Sequence, residues 1–119
     1  MKVVVSAEGT NKESILDKRF GRAKNFILFN SDKNTYELID NTAKQGTHGA
    51  GPKAAQLVIE NNADVLITGN LGPKAYTVID ETDIEVFRGK EVSVQENIEY
   101  YLASKLEKIK SYGPSHAGN

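Results

Sequence analysis

Apolar residues fall along this chain in short, bounded runs, and the spacing inside each run predicts the element it forms. Val3-Val4-Val5-Ser6-Ala7 is a β-branched run of the kind found in a central strand covered on both faces. Residues 25–29, Asn25-Phe26-Ile27-Leu28-Phe29, form a second strand. Residues 35–40 form a third, with Tyr36 and Leu38 on one face and Glu37 on the other. The turn residues Asn30-Ser31-Asp32-Lys33-Asn34 between them predict an antiparallel hairpin. Upstream of it, Ile15, Leu16 and Phe20 are scattered apolar positions that pin a polar connection to the core.

The second half alternates helix and strand. Residues 52–62 carry Ala54, Ala55, Val58 and Ile59 at helical spacing and close on Asn61-Asn62. Residues 63–68 make another buried strand, with Gly69-Asn70-Leu71-Gly72 as its exit loop. Pro73 opens a helix through residue 79 that turns Ala75, Tyr76 and Ile79 inward, and residues 84–87 form a last short strand. Ser93, with Glu96 three positions on, is a capping box that serves two otherwise unpaired backbone amides. Val94, Ile98, Tyr101, Leu102, Leu106 and Ile109 mark one face of the final helix it opens. Five strands and three main helices in this order predict an α/β fold.

Composition narrows the function classes. At 119 residues the chain makes one domain, 1–110, followed by a polar, flexible C-terminal tail, 111–119. Lys and Arg number 15 against 16 Asp and Glu, so the charge balance lacks the basic footprint of a nucleic-acid binder. Cysteine is absent, which excludes a disulfide framework, a thiolate-held cluster and a cysteine nucleophile. The apolar start is too short for a signal peptide or a membrane span, and the expectation is a cytoplasmic protein with no membrane partner.

The candidate chemistry gathers in the stretch from Asn41 to Lys53, which holds three glycines, two lysines and His48. It reads as a glycine-rich loop discharging into a helix N-terminus, a natural place for an anion. Gly51-Pro52-Lys53-Ala54 recurs as Gly72-Pro73-Lys74-Ala75, each copy at a predicted helix start. Two such starts aimed at one anion would each offer unpaired N–H groups, a partial charge of roughly +0.5 and a lysine. Against this stand plainer readings. Proline is common at helix starts, Lys53 and Lys74 are solvated, and His48 is a polar loop residue. Arg22 ties the hairpin entry to a carboxylate such as Asp40 or Glu8. His116 lies in the tail, where it is either disordered or a second ligand.

Catalysis finds little support. The first strand carries no carboxylate, Asp40 and Asp64 sit at strand ends that the topology keeps apart, and no Ser-His-Asp set is present. The glycine loops match neither a P-loop nor a dinucleotide fingerprint. A partner surface on the last helix, around Tyr100-Tyr101, competes with ordinary core packing, and the expected state is a monomer or weak homodimer.

Three segments together, Phe20-Gly21-Arg22-Ala23, His48-Gly49-Ala50-Gly51 and Gly69-Asn70-Leu71-Gly72-Pro73-Lys74-Ala75, resemble the dinitrogenase iron-molybdenum cofactor biosynthesis family. That family includes NifX-like and NifY-like cofactor carriers and the C-terminal domain of NifB, and the likeness runs from Met1 to about Leu106. It implies a ribonuclease H-like three-layer fold with a five-stranded mixed sheet whose second strand is antiparallel to the rest. It also implies non-catalytic binding or carriage of an iron-molybdenum-sulfur cluster or its precursor, with a cofactor-assembly protein as partner. By the resemblance His48 is the metal ligand. Arg22, Gly49, Gly51, Lys53, Gly72 and Lys74 complete the cofactor-binding set. The chain departs from the pattern at Arg19, where many relatives have histidine, and in lacking cysteines found in some. The alternative function is a small-anion or nucleotide-binding regulatory module built on the same two helix starts.

Overall fold

The computed structural model describes residues 1–46 and 48–111. Those residues form one sheet of six strands in the order β3-β2-β1-β4-β5-β6. The strands are β1 (Lys2–Ala7), β2 (Asn25–Asn30), β3 (Thr35–Asp40), β4 (Val65–Thr68), β5 (Glu85–Arg88) and β6 (Glu107–Lys108). The hairpin and its reversed second strand are as expected, since β2 runs antiparallel to both β1 and β3. The strands β1, β4 and β5 are mutually parallel.

The sixth strand corrects the expectation of five, and it comes from a helix that stops early. The last helix, α3 (Val94–Leu102), begins with the expected capping box at Ser93 and Glu96. It ends in a reversal at Ser104, which takes φ +59°. There Ser104 N–H donates to Tyr101 O and Lys105 N–H to Tyr100 O, the paired bonds of a Schellman stop. Leu106 and Ile109 therefore lie outside the helix, and Leu102, expected to face inward, is 58% exposed. Beyond the reversal, β6 pairs antiparallel with β5. Glycine is the usual signal for such a stop, and here a serine carries it.

Two helices cover one face of the sheet and α3 the other. Alternation along β1 divides the core: Val4 joins Phe26, Leu28 and Leu66 beneath α1 (Ala50–Glu60) and α2 (Pro73–Asp80). Val3 and Val5 join Ile27, Phe29 and Ile67 beneath Val94 and Ile98 of α3. This three-layer arrangement explains the apolar run Val3-Val4-Val5 in β1, buried on both faces. By contrast β3 lies at the sheet edge, and Leu38 there is half exposed.

The start of α1 is a second correction. The helix begins at Ala50 with Gly49 as N-cap, two residues before the expected Pro52, so Gly51 and Pro52 lie within its first turn. By contrast α2 starts as expected, with Gly72 as N-cap and Pro73 at the first helical position. The two Gly-Pro-Lys copies are thus offset by two residues and are not equivalent caps. Ser111 is the last described residue of the expected tail; Tyr112 and His116 lie outside the described residues.

Candidate functional site

The connections that leave β1, β3, β4 and β5 all emerge at one edge of the sheet, because these four strands run in the same direction. The helices α1 and α2 follow β3 and β4, so both start at this edge, on the same face. Strand C-terminal edges are where open α/β sheets place their ligands. All seven expected site residues lie there: Arg22 before β2, His48, Gly49, Gly51 and Lys53 around the start of α1, and Gly72 and Lys74 at that of α2.

A strap formed by residues 15–24 crosses this edge and is the floor of the site. Asp17 N–H donates to Ser6 O, and the buried Ser6 hydroxyl donates to Asp17 O at 2.7 Å. Ser6 Oγ also lies 2.8 Å from Thr68 Oγ1, so buried hydroxyls at the ends of β1 and β4 hold the strap. Further along, Lys18 accepts from Asn70 N–H, and a Cβ on Gly69 would fall 2.6 Å from Lys18 O. Gly21 lies equally close to the first turn of α1. Between these contacts Phe20 is fully buried among residues of α1 and α2.

Asp17 is the strap's electrostatic anchor. Its buried carboxylate accepts from Arg19 N–H, from Arg19 Nε and Nη2, and from Lys24 N–H at 3.0–3.1 Å. Burial alone would raise its pKa. The hydrogen bonds from Arg19 and Lys24 and the Arg19 charge outweigh that and hold it below the ordinary carboxylate value. The bond to Asp17 in turn raises the pKa of Arg19. A carboxyl with a depressed folded pKa stabilises the fold above its unfolded value, about 3.9. That contribution disappears as pH falls through the lower, folded value. Thermal unfolding should therefore show a loss of stability below about pH 4 that is reduced in Asp17→Asn. An equal acid loss in both proteins would remove Asp17 from this role.

At α1, Gly49 takes φ +70°, a left-handed conformation, and no side chain caps the helix among the described residues. No side chain caps α2 either. By contrast α3 has its capping box, and a 3-10 turn at Thr42–Gln45 is capped by Asn41. Helix N-termini without side-chain caps among the described residues contribute positive potential at this edge.

His48 is exposed, next to Gly49. Lys53 sends its ammonium back toward the same loop, 3.3 Å from where a Cβ on Gly46 would stand. Lys74 is exposed on the first turn of α2. The Arg22 guanidinium donates to the Lys44 and Gly46 carbonyls. Asp40 lies at this edge and Asp64 at the opposite one, where it accepts from Lys2 N–H, so the two carboxylates are kept apart as expected. No group of three or more His, Cys, Asp or Glu side chains suited to a metal ion occurs among the described residues. No helix among them is long and apolar enough to cross a membrane.

Several residues that build this edge were not singled out from sequence: Asp17, Ser6 and Thr68, Asn41 and Arg88. Ser6 and Thr68 interrupt or end apolar strands, a legible sign of buried hydroxyl pairing. Asn41 stands between a strand and a turn, an ordinary cap position. Arg88, which donates to Gly69 O at 2.6 Å and steadies the loop before α2, left no such sign.

Comparison with known proteins supplies the context. Residues 1–104 match the family model described as dinitrogenase iron-molybdenum cofactor. An uncharacterised protein of Methanocaldococcus jannaschii is 36% identical over 97 residues, covering 79% of this chain and 82% of that protein. The apo form of the orange protein from Desulfovibrio gigas superposes with a TM-score of 0.90 at 30% identity, covering 95% of this chain and 96% of the other. A Thermotoga protein of the DUF35 family, described as a NifB candidate, follows at 0.83 and 27% identity, covering 95% and 97%.

Proposed function

Because this chain belongs to the dinitrogenase iron-molybdenum cofactor family, we propose that it binds or carries an iron-molybdenum-sulfur cluster, or a precursor of one, without transforming it. The observation that supports this reading is the convergence of an exposed histidine, a lysine ammonium and an uncapped helix start on one short loop. A metal-sulfur cluster is a polyanion with few open coordination positions. One imidazole ligates one metal atom, while cations and backbone donors neutralise the sulfides. In this reading His48 is the ligand. The amides around Gly49 and Gly51, with Lys53, surround it, and the α2 start at Gly72 and Lys74 faces the cargo from the second helix.

One imidazole without a thiolate holds cargo loosely, which suits transfer to a cofactor-assembly partner in the cytoplasm. A single domain spanning 1–110, working as a monomer or weak homodimer, suffices for that task. The strand order β3-β2-β1-β4-β5 with β2 reversed also supports the ribonuclease H-like reading of the fold. The small-anion or nucleotide module is not favoured by the family and its structural neighbours.

Anaerobic titration with tetrathiomolybdate, followed by visible absorption, tests the carrier reading. The native protein should bind with a spectral shift, and His48→Ala should weaken binding at least about tenfold. Absence of binding by the native protein, or equal binding by both, would overturn it.

A further inference from the structure

Arg22 belongs to the motif that carries the family likeness, and its charge invites a direct contact with an anion. Its geometry assigns it other work. One nitrogen, Nη1, donates to Lys44 O at 2.8 Å and to Gly46 O at 2.6 Å. These carbonyls lie at the end of the 3-10 turn over Thr42–Gln45, where backbone acceptors lack partners within the turn. The guanidinium thus closes that turn from outside, as basic side chains do at helix C-termini.

The clasp has further members. Asn41, fully buried, donates from Nδ2 to Gly21 O at 3.1 Å and to Ala23 O at 2.8 Å. Lys44 Nζ donates to Lys24 O. Residues 41–46 are therefore tied to strap residues 21–24 by side chains from both segments. The strap itself is held by Asp17 and by the contact of Gly21 with the first turn of α1. His48 lies between the two ends of this arrangement, with Gly46 fixed by Arg22 and Gly49 fixed as the left-handed cap of α1.

We propose that Arg22 is a positioning residue for His48: it holds the Gly46 carbonyl, and through it the placement of the imidazole, and does not itself contact the cargo. The proposal rests on the carrier reading for the identity of the cargo, and on the observed hydrogen bonds alone for the clasp. The physical reason is preorganisation. A ligating side chain must sit within about 0.5 Å of its productive place. Each residue whose backbone must first be ordered weakens binding by about tenfold. Lysine at this position keeps the charge and one donor group but loses the planar guanidinium.

A double-mutant cycle separates positioning from contact. Tetrathiomolybdate affinity is measured for the native protein, Arg22→Gln, His48→Ala and the double variant, alongside ligand-free NMR spectra of the His48 ring and the Gly46 and Gly49 amides. Arg22→Gln should weaken binding about tenfold in the native background and less than about twofold in the His48→Ala background. It should also shift or broaden the Gly46 and His48 signals while leaving those of α2 in place. Arg22→Lys should fall between the two, and it carries the cycle if Arg22→Gln does not fold. Equal weakening in both backgrounds would mean direct contact with the cargo and overturn the proposal. Unmoved loop signals would overturn it as well, whether or not the native protein binds the probe. Failure of the native protein to bind, with the loop signals displaced as expected, would refute the carrier reading and leave the clasp standing.

Discussion

Replacing Phe20 with alanine should destabilise the protein by about 3–5 kcal/mol, the usual cost of truncating a fully buried aromatic. Phe20 has no exposed surface, and its ring centroid lies 5.5 Å from that of Phe26. It packs in the layer formed by Ala54 and Ala55 of α1, Ala75 of α2, and Leu71. Three of these four neighbours are alanines on α1 and α2, whose side chains are too short to fill the space left by the ring. A domain of this size has roughly 5–15 kcal/mol of stability in total. The loss should therefore lower the melting temperature by roughly 10–20 °C. Urea unfolding should show a lower midpoint with an unchanged slope. A loss of less than about 1 kcal/mol would show that Phe20 is not what holds the strap between the two helices.

Gly21→Ala is the second large effect, and its cause is space rather than conformation. A Cβ on Gly21 would stand 2.6 Å from Gly51 N and 2.8 Å from Ala50 C. Both contacts are backbone, so no rotamer change relieves them, and either the strap or the first turn of α1 has to move. The expected cost is about 1–3 kcal/mol in stability. Because the displaced turn carries Gly49 and adjoins His48, tetrathiomolybdate binding should weaken as well, by more than in Lys33→Ala, a substitution at an exposed turn position. Native-like stability together with native-like binding would show that the close approach is not required.

These two substitutions, one residue apart, explain why Phe20-Gly21-Arg22-Ala23 reads as a unit. Phe20 fills the seam between α1 and α2, Gly21 lets the backbone touch the start of α1, and Arg22 reaches the turn before it. Ala23 is buried in the same core layer. In the proposed carrier reading the segment is the floor and one wall of the site, and His48 is the ligand.

Much of this was legible in the chain because its causes are local. Bounded apolar runs placed β1 and β2, and alternation placed β3. Asn61-Asn62 predicted the end of α1, where Asn62 takes φ +58°. Ser93 and Glu96 predicted the start of α3 from side chains that cap their own backbone. The site residues were found at one edge because helix starts that follow parallel strands must emerge there. Other features depend on residues far apart in sequence. The apolar spacing of Leu102, Leu106 and Ile109 extended α3, whereas the reversal at Ser104 and pairing with β5 turned that segment into β6. The carboxylate of Asp17 is buried and ionised because strap residues fold back around it, which the linear order does not disclose.

Arg22 marks the boundary between the two kinds of information. As a residue type in a motif it announced a cation near an anion site. Only the folded chain, which brings the Lys44 and Gly46 carbonyls to its guanidinium across more than twenty residues, decides what that cation holds. Sequence by itself determined the order of the elements, the absence of thiolate chemistry and the position of the one histidine among the described residues. Tertiary structure decided which carbonyls near that histidine Arg22 holds and which described helix starts lack a side-chain cap, because hydrogen bonding depends on proximity in space.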